Sequence, residues 1–243
     1  MHALSSRDGW RALPQNRTMP VSAFRRQPDR RQPHPAAAAA WFAGLAGQAI
    51  LASEADILRQ VALDRPGQPG LWLSPSGMGE ADLVLPLLRL CAAAEGFEGP
   101  LRCGLPLPLA SDSCGVVVVQ HLADISAEPA TLLDECARVL VPGGRLWLLA
   151  LNPLSPYRLR WRGQGPRVSE PVTWRRRLRI AGLAPEAVSR GVGPTWRITP
   201  EPAVQDGAGL RAAFLLRAEK RRAPMTPLRT PAKTRFEPGL PTA

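Results

Sequence analysis

A chain of 243 residues, 45% hydrophobic and 21% charged, is long enough to bury one sizeable core with extensions. Its net charge of +11 favours acidic partners such as nucleic acid or anionic lipid, although basic tails on an ordinary globular domain give the same balance. No apolar run reaches the roughly 18 residues of a membrane span and the N-terminus has no apolar signal core, so the expected location is the cytoplasm.

Residues 1–35 interleave arginine and proline ("FRRQPDRRQPHP"), too polar to offset the entropy of ordering, and read as a disordered basic extension; Met19 offers a second start. Residues 36–219 read as the folded domain, with a helical segment over 36–65 and a sheet core over 70–219. In the helical segment Trp41, Leu45, Ala49, Ala52, Ile57 and Val61 recur at helical spacing, with a break expected near Gly44 or Gly47. "RPGQPG" is a turn-rich linker, and "LWLS" a short strand. Residues 80–95 fit one helix, or a short helix leading into a strand at "LLRLCA"; "PLRCG" fits another short strand.

"CGVVVVQHL" is the β-branched run of a central parallel strand. "PATLLDECARVL" places Leu132, Leu133, Cys136, Val139 and Leu140 on one helix face, and "PGG" supplies a left-handed cap. "RLWLLALN" is the next buried strand, so the unit is a right-handed α/β crossover. "TWRRRLRIAGL" reads as a helix ending in glycine. "APEAVSRGV" and "GLRAAFLLRAEKR" read as a closing antiparallel pair, and residues 220–243 as a basic, proline-rich tail.

Cys91, Cys103, Cys114 and Cys136 show no C-x-x-C spacing and sit in apolar company, which reads as reduced buried thiols. No His, Cys or acid cluster has metal-ligand spacing, so no metal is expected. There is no G-x-S-x-G elbow to support a hydrolase.

Three stretches carry a resemblance. "LPLASDSCGVVVVQHLADI" resembles the L-P-F-x-D-x-S-F-D-x-V pattern ahead of the fourth strand of class I S-adenosylmethionine-dependent methyltransferases of the type 11 kind. "LLDECARVLVPGGRLWLLALNP" resembles their L-x-E-x-x-R-V-L-x-P-G-G-x-L segment, and "LWLSPSGMG" lies where they carry the E/D-x-G-x-G-x-G loop. "WFAGLAGQAILASE", "LNPLSPYRLR" and "KRRAPMTPLR" are similar to a small proteobacterial branch with a degenerate glycine loop and an unassigned substrate. The resemblance implies an α/β fold, a Rossmann-like mostly parallel sheet with a C-terminal antiparallel strand pair. It also implies S-adenosyl-L-methionine as cofactor and transfer of its methyl group to an unknown acceptor.

By that resemblance Ser76, Gly77, Gly79, Cys103, Gly104 and His121 are the cofactor-binding candidates, and no catalytic residue is assigned. Pro75 replaces the first loop glycine and Leu73 the acid that orients the amino-acid end of the cofactor. Glu95 or Glu98 is left to serve as ribose acid; Cys103 stands where an adenine-binding Asp is common, and Gly115 where the motif has Asp. His121, the single histidine of the domain body, reads either as a base or donor in the cleft or as a strand-end cap, with Asp112 and Asp124 as turn residues. Asn152-Pro153 reads as a turn opening a lid. In that lid Tyr157 and Trp161 could stack on bases while Arg158, Arg160 and Arg162 meet phosphates, or form a buried stripe on a solvated helix. The alternative function is therefore a methyltransferase-fold binding module that engages RNA or a protein partner through its basic lid and tails.

Overall fold

The computed structural model describes residues 35–75 and 87–221. Ser76, Gly77 and Gly79, the short helix expected after residue 80, and both basic tails lie outside the described residues.

The helical segment is three helices: α1 (Pro35–Ala43), α2 (Leu45–Ser53) and α3 (Ala55–Asp64). Gly44 breaks the first pair with an extended backbone, as expected; the second break, at Glu54, was not expected. Each break rotates the next helix, so the expected apolar face is only partly buried. Ala49, Ile57 and Val61 are buried, together with Phe42, Ile50 and Leu58, whereas Leu45 is 82% exposed and Ala52 is exposed.

The sheet starts with β1 (Gly70–Ser74), β2 (Leu87–Ala92) and the two-residue β3 (Phe97–Glu98). The alternative with a strand at "LLRLCA" is thus the one adopted, while the strand expected at "PLRCG" shrinks to a single bridge between Phe97 and Cys103. β4 (Cys114–Gln120), the short α4 (Leu122–Ile125), α5 (Pro129–Val139) and β5 (Leu140–Leu151) follow. Then come α6 (Pro171–Ile180), β6 (Leu183–Pro185), β7 (Arg190–Val192), β8 (Gln205–Asp206) and β9 (Ala213–Lys220).

The strand order is β3-β2-β1-β4-β5-β9-β7-β8, with β6 also on β9. β2, β1, β4 and β5 are parallel; β9 runs antiparallel to β5 over seven residue pairs. The fold is the Rossmann-like α/β sheet expected, with an antiparallel wing larger than one pair. "APEAVSRGV" gives two short strands, β6 and β7, both against β9. Period-two alternation along the central strands fills both faces. Leu71, Leu73, Val117, Val119, Leu146 and Leu148 pack in the main core with residues of α4, α5 and α6. Trp72, Val116, Val118, Trp147 and Leu149 pack with Ile57, Leu58 and Val61 of α3.

Two helix ends differ. Gly182, with φ of 82°, follows α6 as its glycine terminator. The "PGG" turn does not cap α5: the chain becomes extended at Leu140, and Gly143 takes its positive φ inside a register shift between β4 and β5. Nor does the segment after β5 open as a lid. Asn152 is fully buried and donates through Nδ2 to the carbonyls of Gly209 and Arg211, both at 2.9 Å, pinning the β8–β9 connection. Tyr157 Oη donates to the Ala46 carbonyl at 3.1 Å and Trp41 Nε1 to the Arg160 carbonyl at 3.0 Å, strapping the segment onto α1 and α2.

Gly47 sits in that corner, where a Cβ would lie 2.4 Å from the Phe42 Cα. Helix propensity alone favours alanine by about 0.8–1 kcal/mol, but the backbone of α1 has to move. Gly47→Ala is expected to destabilise the protein by about 1–3 kcal/mol, read from urea denaturation; a net stabilisation would contradict the close packing of α1 on α2.

Candidate functional site

The chain leaves β1 for β2 on one side and returns to β4 on the other, so the carboxyl ends of β1 and β4 form the topological switch point, where open α/β sheets bind ligands. Ser74 ends β1 and Gln120 ends β4. Both line a cavity of about 640 Å³, walled by Leu45, Ala49, Ala52 and Leu58 of α2 and α3, by Trp72, Arg89 and Arg59, and by Ile198 and Pro200. The exposed Leu45 and Ala52 therefore belong to a cavity wall. The Arg89 guanidinium stacks over the Trp72 ring, 4.3 Å from its centroid.

Behind this cavity runs a buried polar chain. Trp72 Nε1 donates to Gln120 Oε1 at 3.0 Å, and Gln120 Nε2 donates to Glu54 Oε2 at 2.8 Å. Glu54 Oε1 is 2.8 Å from His121 Nε2, and His121 Nδ1 is 3.3 Å from Asp124 Oδ2, which also accepts from the Leu151 N–H at 2.8 Å. Glu54, His121 and Asp124 are fully buried. His121 adopts a left-handed backbone, φ 53°, rare for a residue with a Cβ, and its ring stacks on Phe42 at 4.8 Å. Burial by itself would push the imidazolium down. The Glu54 charge and the hydrogen bonds that the ring donates to Asp124 and Glu54 outweigh it and hold the group up at about 9. Both ring nitrogens then donate, and the histidine is charged at neutral pH. Burial raises the Asp124 carboxyl against the pull of His121.

A second cavity of about 390 Å³ lies beyond β2, at the same carboxyl edge. It is mostly apolar, lined by Ala92, Ala93, Phe97, Leu105, Leu122 and Ile125, with Gly96 and Gly104 exposing backbone. Alternation puts Arg89 and Cys91 on the face of the first cavity and Ala92 on the other, so the two cavities flank one edge.

Of the expected cofactor residues, Gly104 lines the second cavity and Cys103 is half-buried beside it, its backbone bonded to Phe97. His121 reaches neither cavity: it is sealed by its two carboxylates, and Gln120 stands in front of it. Leu73 is fully buried in the core and Pro75 is buried. Glu95 and Glu98 are exposed and line neither cavity. Gly115 is at the amino-terminal end of β4, packed against Gln68, away from the switch point.

Asp112 is a turn residue, with φ of 55°, but Asp124 is not: it anchors the buried chain. Tyr157 and Trp161 are buried, so neither is available to stack on a base; of the lid arginines Arg158 and Arg162 are exposed. Burial holds all four thiols above their usual value. Among the described residues no group of His, Cys, Asp and Glu could hold a metal, and no helix is long and apolar enough to cross a membrane.

Sequence reasoning missed Glu54, Gln120 and the role of Asp124. One signal was present: Glu54 follows Ile50 by four residues and precedes Leu58 by four, so a carboxylate sits on the apolar stripe.

A family described as a methyltransferase domain matches residues 84–148. Among solved structures, the chain is similar to a Thermotoga maritima protein titled an S-adenosylmethionine-dependent methyltransferase, possible histamine N-methyltransferase. That similarity has 20% identity and a TM-score of 0.52, over 75% of this chain and 93% of the other. The fold is therefore that of a Rossmann-like methyltransferase. A putative methyltransferase from Bacillus halodurans aligns at 15% identity and a TM-score of 0.44, over 70% of this chain and 100% of the other. No curated protein matches the chain.

The charged histidine has a consequence for stability. Its folded value of about 9 lies above the ~6.5 of an unfolded histidine. The stabilisation is therefore complete below pH 6.5 and disappears as pH rises through about 9, a loss on the order of 3 kcal/mol. The melting temperature is expected to fall between pH 7 and 10, and Glu54→Gln with Asp124→Asn should flatten that limb. A parent whose alkaline limb is no steeper than the double variant's would refute the assignment.

Proposed function

We propose that the protein is an S-adenosylmethionine-dependent methyltransferase of the small proteobacterial branch with a degenerate glycine loop, acting on an unidentified acceptor and holding its cofactor weakly. The observation that carries this reading is the pair of cavities flanking the carboxyl edge at the β1/β4 switch point, one mostly apolar and one with a polar floor.

The residues present fit the cofactor in part. The second cavity, walled by alanine, leucine, isoleucine and phenylalanine side chains, suits a planar base, with Cys103 and Gly104 beside it. Ser76, Gly77 and Gly79 follow Ser74 in sequence and are the loop residues that the resemblance assigns to the cofactor. The end of β2 carries Ala92, Ala93 and Ala94 where a carboxylate would hold ribose hydroxyls. Each charge-assisted hydrogen bond lost there weakens binding by roughly 1.5–3 kcal/mol.

When bound, the cofactor supplies a sulfonium methyl group for in-line displacement. The protein's share is positioning, with Leu45, Ala52, Leu58 and Ile198 giving the cavity an apolar wall. His121 is closed off by Glu54 and Asp124, so it is not placed to act as a base toward the acceptor.

A second reading is the same fold without catalysis, binding RNA or a protein partner. Charge segregation favours it. Residues 158–221 hold 14 Lys and Arg against 5 Asp and Glu, while residues 35–157 hold 6 against 12. With Tyr157 and Trp161 buried, such binding would rest on phosphate contacts and weaken steeply with salt.

Thermal-shift titration separates the two. S-adenosylhomocysteine at 100 times its dissociation constant stabilises by about 2.7 kcal/mol, so the methyltransferase reading predicts a clear rise in melting temperature at millimolar ligand. No rise with it or with S-adenosylmethionine, alongside a salt-sensitive rise with single-stranded RNA, would overturn that reading in favour of the second.

A further inference from the structure

The acid that holds the amino-acid end of the cofactor is missing, since Leu73 occupies its position and is fully buried in the core. The structure offers a different polar group at the same edge. β1 and β4 pair Leu73 with Val119, so the next residues, Ser74 and Gln120, stand side by side at the switch point and face the larger cavity.

Gln120 is pinned from both ends. Its Oε1 accepts the Trp72 indole N–H at 3.0 Å, and its Nε2 donates to Glu54 at 2.8 Å. An indole only donates and a carboxylate only accepts, so the amide has one orientation. A primary amide has two N–H groups and two carbonyl lone pairs, so one of each is left over. An amino-acid zwitterion needs that pair: a donor for its carboxylate and an acceptor for its ammonium. Glu54 is fixed in turn by its bond to His121, so it cannot turn into the cavity in place of the amide.

We propose that Gln120, held by Trp72 and Glu54, binds the α-amino-acid end of the cofactor in place of the acid absent at Leu73. The proposal rests on the methyltransferase reading above. It assigns the rebuilt contact to a side chain on the central strand instead of the glycine loop.

Calorimetry with two ligands tests it: S-adenosylhomocysteine, and 5′-methylthioadenosine, which keeps the nucleoside and sulfur but lacks the amino acid. The parent should bind both. Gln120→Met should weaken S-adenosylhomocysteine about tenfold to a hundredfold and leave methylthioadenosine within about twofold. The methylthioadenosine arm also reports whether the variant is folded. Gln120→Asn keeps the amide but is too short to span Trp72 and Glu54, and should give the same selective loss in a less disturbed core. Unchanged S-adenosylhomocysteine affinity, or an equal loss of both ligands in both variants, would overturn the assignment while leaving the cofactor reading standing. A parent that binds neither ligand would overturn both.

Discussion

One buried cation organises the carboxyl edge of this sheet. His121 lies fully buried between Glu54 and Asp124, on a left-handed backbone that costs on the order of 1–3 kcal/mol. Buried ion pairs seldom stabilise a fold on balance, because desolvation opposes the Coulomb attraction. What this one fixes is location. Glu54 is the joint between α2 and α3, His121 follows β4, and Asp124 reaches from α4 to the Leu151 amide at the end of β5. Removing either carboxylate would leave a charge with half its compensation in the interior.

The cavity depends on that joint. α2 and α3 supply the wall over Trp72, Ser74 and Gln120, and Glu54 ties their joint to the end of β4 while Ile57, Leu58 and Val61 pack α3 on the sheet. The same chain sets the chemistry of the floor. Gln120 has one orientation because an indole pins its oxygen and a carboxylate pins its nitrogen. The strap from Tyr157 to Ala46 and from Trp41 to the Arg160 carbonyl closes the far side of α1 and α2. Among the described residues the wall of the pocket comes from α2, α3, the ends of β1, β2 and β4, and from Ile198 and Pro200.

Much of the framework was legible because it is repetitive. The valine run of β4, the amphipathic α5, and "RLWLLAL" of β5 each follow one period, and burial followed it. The helix breaks were half legible: Gly44 announces itself, while Glu54 looks like a surface residue until its helical neighbours Ile50 and Leu58 are seen to be buried. The glycine cap of α5 failed because Leu140 joins β5 directly, extending the strand through the turn residues. The lid failed because aromatic residues beside arginines fit a base platform and a buried stripe equally well, and only the contacts to α1 and α2 decide between them. The polar chain was least legible. Its members are separated by 67 residues between Glu54 and His121 and 48 between Trp72 and Gln120, and no local pattern links them.

Nitrogen-15 NMR of the His121 ring, titrated with pH, tests the organising claim most directly. A doubly protonated imidazolium at pH 7 that loses its proton near pH 9 is the result these contacts require. A ring with one bare nitrogen at neutral pH would mean that the two carboxylates do not hold a cation between them. The joint at Glu54, the wall of the cavity and the fixed amide of Gln120 would then need another cause.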